Sequence, residues 1–343
     1  MSLINQTTKV RIFMVNNQQK FMRPSQIVTT LGPASLKGDI PGKMAKYSTG
    51  IRINVAHLDE ARLTEWLNLL DRLRRSSGRE FRIILDLQGA KVRIGQFPEV
   101  DCLDDNLTIF LGESSKNPGR IPVPNEKVFR QSQVGDCLFL NDRRVILEVV
   151  KQAPDHLEVK VRQNGALSSF KGINSPDRVF EMARVMPGDA AAIKAAGVFD
   201  NVSFAVSFVS DGKEAGLFKP LTGNCPLIAK IEQVAAFEHL PEIAAEFDEL
   251  WLCRGDLGAE AGLASLGMLQ RRFINSIAGL SRPCLLAGEV LGSMTVLGQP
   301  SRAEVVQLSD ALSDGFCGFV LSDETAIGKR VAEVFRFLET FFS

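Results

Sequence analysis

Eight short apolar runs recur along the chain, and helical patterns lie between most of them. Strands that alternate with helices indicate parallel βα units, and eight units favour a closed (β/α)8 barrel, or TIM barrel, over an open sheet. The sequence therefore predicts an α/β protein of that class. The predicted strands are Ile27–Leu31, Ile51–Ala56, Ile83–Leu87, Val202–Phe208, Leu227–Ile231, Leu250–Cys253, Cys284–Ala287 and Gly318–Leu321. The predicted helices lie at about 59–75, 189–196, 211–219, 233–247, 263–280, 301–313 and 329–342.

Residues 96–180 interrupt this alternation of strands and helices with strand-like runs and turn dipeptides. The runs are Leu107–Leu111, Cys137–Leu140, Val145–Val150 and Leu157–Val161. Removing about 85 residues from 343 leaves roughly 258, close to the roughly 250 residues of a typical barrel. We therefore predict a barrel domain from 1–95 and 181–343, and a small β-rich lid domain, 96–180, inserted after the third strand.

Charge and composition exclude several classes of function. Lys plus Arg and Asp plus Glu both total 40, so the chain lacks the excess of positive charge that is typical of nucleic-acid-binding proteins. No apolar run approaches the roughly 20 residues that cross a bilayer, and the N-terminus lacks the apolar core of a signal peptide. The six cysteines contain no C-x-x-C pair, which favours free thiols in a reducing compartment. We therefore expect a cytoplasmic protein with neither nucleic-acid nor membrane partners.

Charged residues end two of the predicted strands. Lys230 and Glu232 close the apolar run that begins at Leu227, and residues two apart in an extended chain share one face. Asp256 follows the next run. Active sites of (β/α)8 barrels lie at the C-terminal ends of the strands, so these three side chains are predicted to meet there. An ordinary ion pair between Lys230 and Glu232 at the rim is the alternative.

A series of motifs runs from about Gln26 to the C-terminus: "IVTTLGPAS", "GIRINVAH", "ILDLQGAKVRIG", "LFLND", "GALSSFKGINSP", "AVSFVSD", "LIAKIEQ", "LCRGDLGAE", "SRAEV" and "VLSDETAIGK". Their order resembles the pyruvate kinase family. That family has a (β/α)8 barrel with a β-domain lid after strand three. The resemblance implies phosphoryl transfer from phosphoenolpyruvate to ADP, giving pyruvate and ATP through a metal-stabilised enolate.

The resemblance assigns roles to the charged strand ends. Glu232 and Asp256 match the family's magnesium or manganese ligands, and such hard cations prefer oxygen donors. Lys230 matches the catalytic lysine that neutralises the phosphoryl group in transfer. Arg52 matches the arginine that contacts phosphate, with a surface salt bridge as the alternative.

Further assignments concern the substrate and the nucleotide. Arg93 is assigned to substrate binding, and the backbone amides of Gly255 and Asp256, which open a helix, to the substrate carboxylate. Asn54 and His57 match positions in the region of the nucleotide and the monovalent ion.

The family has a potassium-dependent pattern and a potassium-independent one. This chain resembles the second, with Leu87, Gln88 and Lys91 in the third-strand motif and Ala56 after the second strand. The ammonium of Lys91 would supply a fixed positive charge near the place of the ion. We therefore expect that potassium is not required.

The chain departs from the family at three places. Gly288 and Glu289 replace a Thr-Gln pair whose threonine contacts the substrate and helps to protonate the enolate. Gly288 is kept as a substrate-binding position, and Glu289 is the candidate general acid, with a third metal ligand or a solvated rim residue as alternatives. Gly188 replaces a nucleotide-binding lysine, and Ser210 replaces a frequent arginine. Substitution of Gly288 by Thr is expected to raise activity if the lost relay is the defect.

The departures leave other functions open. One is metal-dependent enolate chemistry on a different 2-oxo acid or enol phosphate, by an aldolase, lyase or kinase. Another is a non-catalytic protein that binds phosphoenolpyruvate or pyruvate. The chain ends near the last barrel helix, so we expect no C-terminal regulatory domain. The phenylalanines of that helix predict barrel packing, with a homo-oligomer interface as the alternative.

Overall fold

The computed structural model describes residues 23–89, 91–141, 143–175, 180 and 185–342, without the side chains of His57 and Phe342. Its strands form a closed eight-stranded barrel and a separate six-stranded sheet. The predicted α/β barrel class is thereby confirmed.

The barrel strands are all parallel, in the order β1-β14-β13-β12-β11-β10-β3-β2. Each predicted strand matches an observed strand to within two residues at either end. The strands are β1 Gln26–Thr30, β2 Gly50–Asn54, β3 Arg82–Asp86, β10 Val202–Val206, β11 Leu227–Ile231, β12 Glu249–Cys253, β13 Cys284–Ala287 and β14 Gly318–Leu321.

The second sheet lies between β3 and β10 in the chain, as the predicted insertion requires. It has the order β5-β4-β8-β7-β6-β9, and its buried side chains form a core of their own. Its strands are β4 Asn106–Leu111, β5 Arg120–Val123, β6 Cys137–Leu140, β7 Val145–Gln152, β8 His156–Gln163 and β9 Ile173–Asn174. We call this sheet and its loops the lid. The boundaries of the lid domain at 96 and 180 stay a prediction.

The helices of the described residues are α1 Ile40–Tyr47, α2 Glu60–Ser77, α3 Glu126–Gln131, α4 Pro187–Ala196, α5 Glu214–Thr222, α6 Leu240–Glu246, α7 Arg254–Ala261, α8 Leu263–Leu280, α9 Arg302–Ser313, α10 Asp323–Ala326 and α11 Val331–Phe342. Short 3-10 turns lie at Val55–His57, Val234–Glu238 and Gly292–Thr295. No described helix combines the length and the apolar character that a membrane span needs.

The helical pattern predicted at about 233–247 is divided into two segments in the structure. The segment forms a 3-10 turn and then α6, with Pro241 in the first helical turn. Proline has no N–H to donate, so it suits the start of a helix and disfavours its middle. By contrast, α9 begins where it was predicted, because the Ser301 and Glu304 side chains form a reciprocal capping box.

The terminal helix α11 packs on the barrel. Phe335 is fully buried, whereas Phe337 and Phe341 are partly buried against the same core and stack with ring centroids 5.2 Å apart. The described phenylalanines of α11 therefore serve barrel packing, as expected.

Candidate active site

The alternation of side chains along the strands decides which groups reach the barrel mouth. Ile84 and Ile228 belong to the cluster that fills the barrel interior. Two residues further on, Asp86 and Lys230 keep the inward direction but lie where their strands end. Interior packing thus aims a carboxylate and an ammonium into the mouth.

Two adjoining clefts form this mouth. One, of about 320 Å³, is lined by Arg52, Asn54, Lys91, Arg93, Lys230, Gly255 and Asp256 among others. The other, of about 600 Å³, adds Glu232, Gly288 and Glu289. The structure therefore brings together every candidate site residue except His57, whose side chain lies outside the described residues.

Lys230 is buried among oxygen atoms. Its Nζ lies 2.8 Å from Glu232 Oε1 and 3.0 Å from Asp86 Oδ1, and it donates a 2.8 Å bond to Ser207 Oγ. Burial lowers the pKa of Lys230, but the two carboxylates outweigh it and raise the pKa above its ordinary value. The side chain is therefore an ammonium at neutral pH.

Asp86 joins the two cations of the site. Its Oδ2 accepts a 2.6 Å bond from Arg52 Nε, while its Oδ1 faces Lys230. Burial raises the pKa of Asp86, but the guanidinium and the ammonium together hold it below its usual range. Arg52 also donates to Thr30 Oγ1 at 3.0 Å, which fixes the direction of its guanidinium.

Asp86 was missed as a site residue in the sequence. The signal was present, because Asp86 ends a predicted strand as Lys230 does. Ser207, which bonds Lys230, was missed as well, since a serine in a buried strand carries no distinctive pattern.

The two candidate metal ligands have different neighbours. Glu232 accepts a 3.0 Å bond from the Phe208 amide, and Asp256 accepts a bond from the Lys91 ammonium. Burial and then the negative charge of Asp256 raise the pKa of Glu232, although Lys230 opposes them. Burial raises the pKa of Asp256, but Lys91 and Lys230 bring it below its ordinary value.

This donor set fits a hard divalent cation. Mutual repulsion between Glu232 and Asp256 marks a place where added positive charge is favourable. No group of three or more His, Cys, Asp or Glu side chains suited to a metal occurs in the described part of the chain. A magnesium site with two carboxylates needs none, because water and substrate oxygens complete it.

Unusual backbone conformations occur at two strand ends. Phe208 after β10, and Gly288 and Glu289 after β13, have positive φ angles of 58°, 87° and 50°. The Phe208 conformation places its amide on Glu232. Strain of this kind in non-glycine residues persists where the surroundings impose it, often at functional sites.

Glu289 is exposed at the rim of the 600 Å³ cleft. Its carbonyl accepts a 3.1 Å bond from Arg254 Nη2, and the Gly288 carbonyl accepts from the same guanidinium at 2.6 and 3.0 Å. The backbone here is thus held by Arg254. A catalytic role for Glu289 stays a prediction.

The remaining candidates have local contacts. Asn54 accepts a 3.2 Å bond from the Ala56 amide and so caps a 3-10 turn, and Arg93 donates a 2.9 Å bond to the Phe170 carbonyl. Gly188 is exposed in the first turn of α4. Ser210 bonds Glu214 at 2.7 Å rather than entering the mouth.

The potassium-related residues Ala56, Leu87, Gln88 and Lys91 all line the 320 Å³ cleft. Lys91 pairs there with Asp256. The positive charge that was expected from Lys91 therefore lies beside Asp256, a candidate metal ligand. Activity without potassium stays a prediction.

Comparison with known proteins identifies relatives along most of the chain. Residues 22–334 match the family profile described as pyruvate kinase, barrel domain. The pyruvate kinase of Methylorubrum extorquens is 29% identical over 90% of this chain and 66% of its own length. That of Thermotoga maritima is 28% identical over 92% of the chain and 70% of its own length, and that of Thermoplasma acidophilum 29% over 92% and 57%. The chain therefore spans about two thirds of the length of these relatives.

Proposed function

The chain belongs to the pyruvate kinase family, and we propose that it transfers the phosphoryl group of phosphoenolpyruvate to ADP, giving pyruvate and ATP. The observation that carries the proposal is the buried ammonium of Lys230, held between Asp86 and Glu232 at the barrel mouth. Phosphoryl transfer depends mainly on positioning and on cations around a crowded anion. Matching relatives carry the name pyruvate kinase.

Two cations of the chain bind the substrate phosphate in this proposal. Arg52 offers a planar set of donors whose direction Asp86 and Thr30 fix. Lys230 supplies a compact point charge, which suits a phosphoryl group in transfer better than a rigid fork of donors does. Both side chains are already oriented, so little reorganisation accompanies the reaction.

The substrate carboxylate lies at the start of α7 in this proposal. The amides of Gly255 and Asp256 lie in the first turn of this eight-residue helix, and helix N-termini favour anions. Glu232 and Asp256 would hold Mg²⁺ or Mn²⁺, which would polarise the substrate oxygens and stabilise an enolate. Arg93 and the Gly288 backbone complete the substrate pocket.

The nucleotide is assigned to the side of the mouth where Asn54 and His57 lie. Asn54 lines the 320 Å³ cleft together with Arg52, which supports this assignment. The ammonium of Lys91 supports activity without potassium, because it already supplies a positive charge within the cleft. Cys102, Cys225, Cys253, Cys284 and Cys317 are free thiols, which supports a reducing cytoplasmic location.

A second candidate keeps the enolate site and changes the reaction. Gly288 has φ 87° and offers no hydroxyl where the family has a threonine. This observation favours enolate chemistry on another 2-oxo acid or enol phosphate. Glu289, at the rim of the 600 Å³ cleft, would then control protonation of the enolate.

Pyruvate release from phosphoenolpyruvate, ADP and magnesium tests the proposal directly. We expect steady turnover by the wild type and at least about a 100-fold loss in Lys230→Met, since charge stabilisation at such sites is worth that much. Lys219→Met is the matched control, because Lys219 forms an exposed pair with Glu246.

A second measurement distinguishes the two candidate functions. Absence of wild-type turnover would contradict the kinase proposal. Magnesium-dependent binding of oxalate by that same inactive protein, lost in Lys230→Met, would then favour the second candidate.

A further inference from the structure

A third cleft, of about 870 Å³, lies beside the active-site mouth and is bounded by both the lid and the barrel. The lid contributes the turn at Arg143 and Arg144, and the barrel contributes Arg254 and the residues that join α7 to α8. We call it the arginine cleft. Its volume suits a small organic molecule. Neither Lys230 nor Glu232 is among its lining residues.

Among the described residues that line the arginine cleft, arginines outnumber carboxylates. Three of these residues are arginines, and one, Glu289, carries a carboxylate. Among the described residues, none of the three guanidinium groups has a carboxylate within 4.0 Å. Arg254 is partly buried, and burial lowers its pKa, although the charges of Glu289, Glu324 and Glu304 oppose this from a longer distance. An anion in the cleft would add the close contact that none of these carboxylates makes.

Two arginines of the cleft, Arg143 and Arg254, are held in place before any ligand arrives. Arg254 donates two bonds to the Gly288 carbonyl. The guanidinium of Arg143 lies 4.7 Å from the centre of the Phe139 ring, and Gln163 donates to the Arg143 carbonyl at 2.9 Å. Donors fixed in this way lose little entropy when an anion binds.

The barrel wall of the cleft is close to the lid and apolar. The Arg143 guanidinium approaches Gly262 so closely that a side chain there would clash with it. The next residue, Leu263, is 81% exposed and lines the cleft with Leu266. Guanidinium groups beside an exposed leucine suit a ligand with a charged end and an apolar end.

We propose that the arginine cleft binds a small organic phosphate, with the phosphate on Arg143 and Arg254 and the apolar part on Leu263. The ligand contacts the lid and the barrel together. The arginine cleft adjoins the substrate pocket and shares Gly255, Gly288 and Glu289 with it. The phosphate contacts proposed here are nevertheless different from Arg52 and Lys230.

Calorimetric titration with inorganic phosphate and with phenyl phosphate tests this inference on the full chain. Both probes carry the charged group, and only phenyl phosphate carries the apolar one. Arg143→Gln removes a cation of the cleft, and Leu263→Ala removes the apolar wall. Arg120→Gln is the matched control, because Arg120 is a lid arginine that also lies 4.7 Å from a phenylalanine ring, that of Phe110.

We expect Arg143→Gln to weaken both probes by about tenfold, since one charge-assisted contact is lost. Leu263→Ala should weaken phenyl phosphate by about threefold to tenfold and leave inorganic phosphate unchanged. Arg143→Lys should recover part of the affinity, and Arg120→Gln should bind both probes as the wild type does.

Binding that is the same in all variants would overturn the inference, because the anions would then occupy the active-site mouth or another surface. Lack of saturable binding by the wild type would overturn it too. Thermal unfolding of each variant verifies that it is folded. Since turnover is not the readout, failure here is distinct from failure of the kinase proposal.

Discussion

Asp86 lies 3.0 Å from the ammonium of Lys230 and provides the charge that lets this lysine remain buried. The same carboxylate holds Arg52 through its other oxygen. One side chain at the end of β3 thus sets the spacing of the two cations that the proposed reaction needs. The substrate phosphate would meet two cations, Arg52 and Lys230, whose positions are fixed and whose charges Asp86 partly neutralises.

Asp86→Asn tests this arrangement. The amide keeps the shape and removes the charge, so Arg52 and Lys230 lose their shared counterion. We expect the free energy of unfolding to fall by about 3 kcal/mol, as for other buried pairs broken on one side. Turnover should fall in the same variant, because the cations are no longer held apart. Urea unfolding and the pyruvate assay measure the two effects.

Asp314→Asn is the control, because Asp314 pairs with Arg271 on the surface. Its stability should stay within about 0.5 kcal/mol of the wild type. Equal stability of Asp86→Asn and the wild type would mean that Asp86 carries no charge in the folded protein.

Lys91 permits a test of the potassium proposal. Wild-type turnover should be the same in potassium chloride as in tetramethylammonium chloride at equal ionic strength, because Lys91 supplies the fixed charge beside Asp256. In Lys91→Met that charge is lost, so we expect lower turnover that potassium partly restores. A steep potassium activation of the wild type would refute the proposal.

The barrel could be predicted from the sequence because its strands are short, apolar and regularly spaced. Interior packing and period-two alternation also placed Lys230 and Glu232 on one side of β11. Pro241 split a predicted helix, because periodicity alone does not register the missing N–H.

Contacts between distant strands could not be predicted. The bond from Lys91 to Asp256 joins residues 165 positions apart, and no local pattern encodes it. The left-handed backbone conformation at Gly288 could not be predicted from the sequence either, because glycine adopts both negative and positive φ.

The pKa of Glu324 offers a test in the pH dependence of stability. Burial raises this pKa above its ordinary value of 4.5, although the Leu291 and Ser322 amides donate to the carboxylate at 3.0 and 2.7 Å. A raised carboxyl pKa gives stability that is present below pH 4.5 and lost as the pH rises through the folded value. Glu324→Gln does not titrate. Its stability relative to the wild type should therefore improve from pH 4.5 upward in urea unfolding.

Glu246→Gln is the control for this series, because Glu246 is exposed, pairs with Lys219 and has a lowered pKa. Its small pH dependence should have the opposite sign. If the Glu324→Gln difference moved in favour of the wild type as the pH rose, the backbone donors would outweigh burial and the pKa would be lowered instead.

Gly288→Thr separates the missing hydroxyl from the backbone as the cause of any altered activity. The sequence analysis expects a gain in turnover if the lost relay is the defect. In the structure, however, Gly288 has φ 87°, and a Cβ there would lie 3.0 Å from the Gly255 amide nitrogen. A β-branched residue in this conformation costs about 1–2 kcal/mol, and the clash would shift the amides assigned to the substrate carboxylate. We therefore expect lower stability and a raised KM for phosphoenolpyruvate. Gly267→Thr, in open space on α8, should leave both unchanged. Higher turnover with wild-type stability would show instead that the backbone relaxes and that the absent hydroxyl limits the reaction.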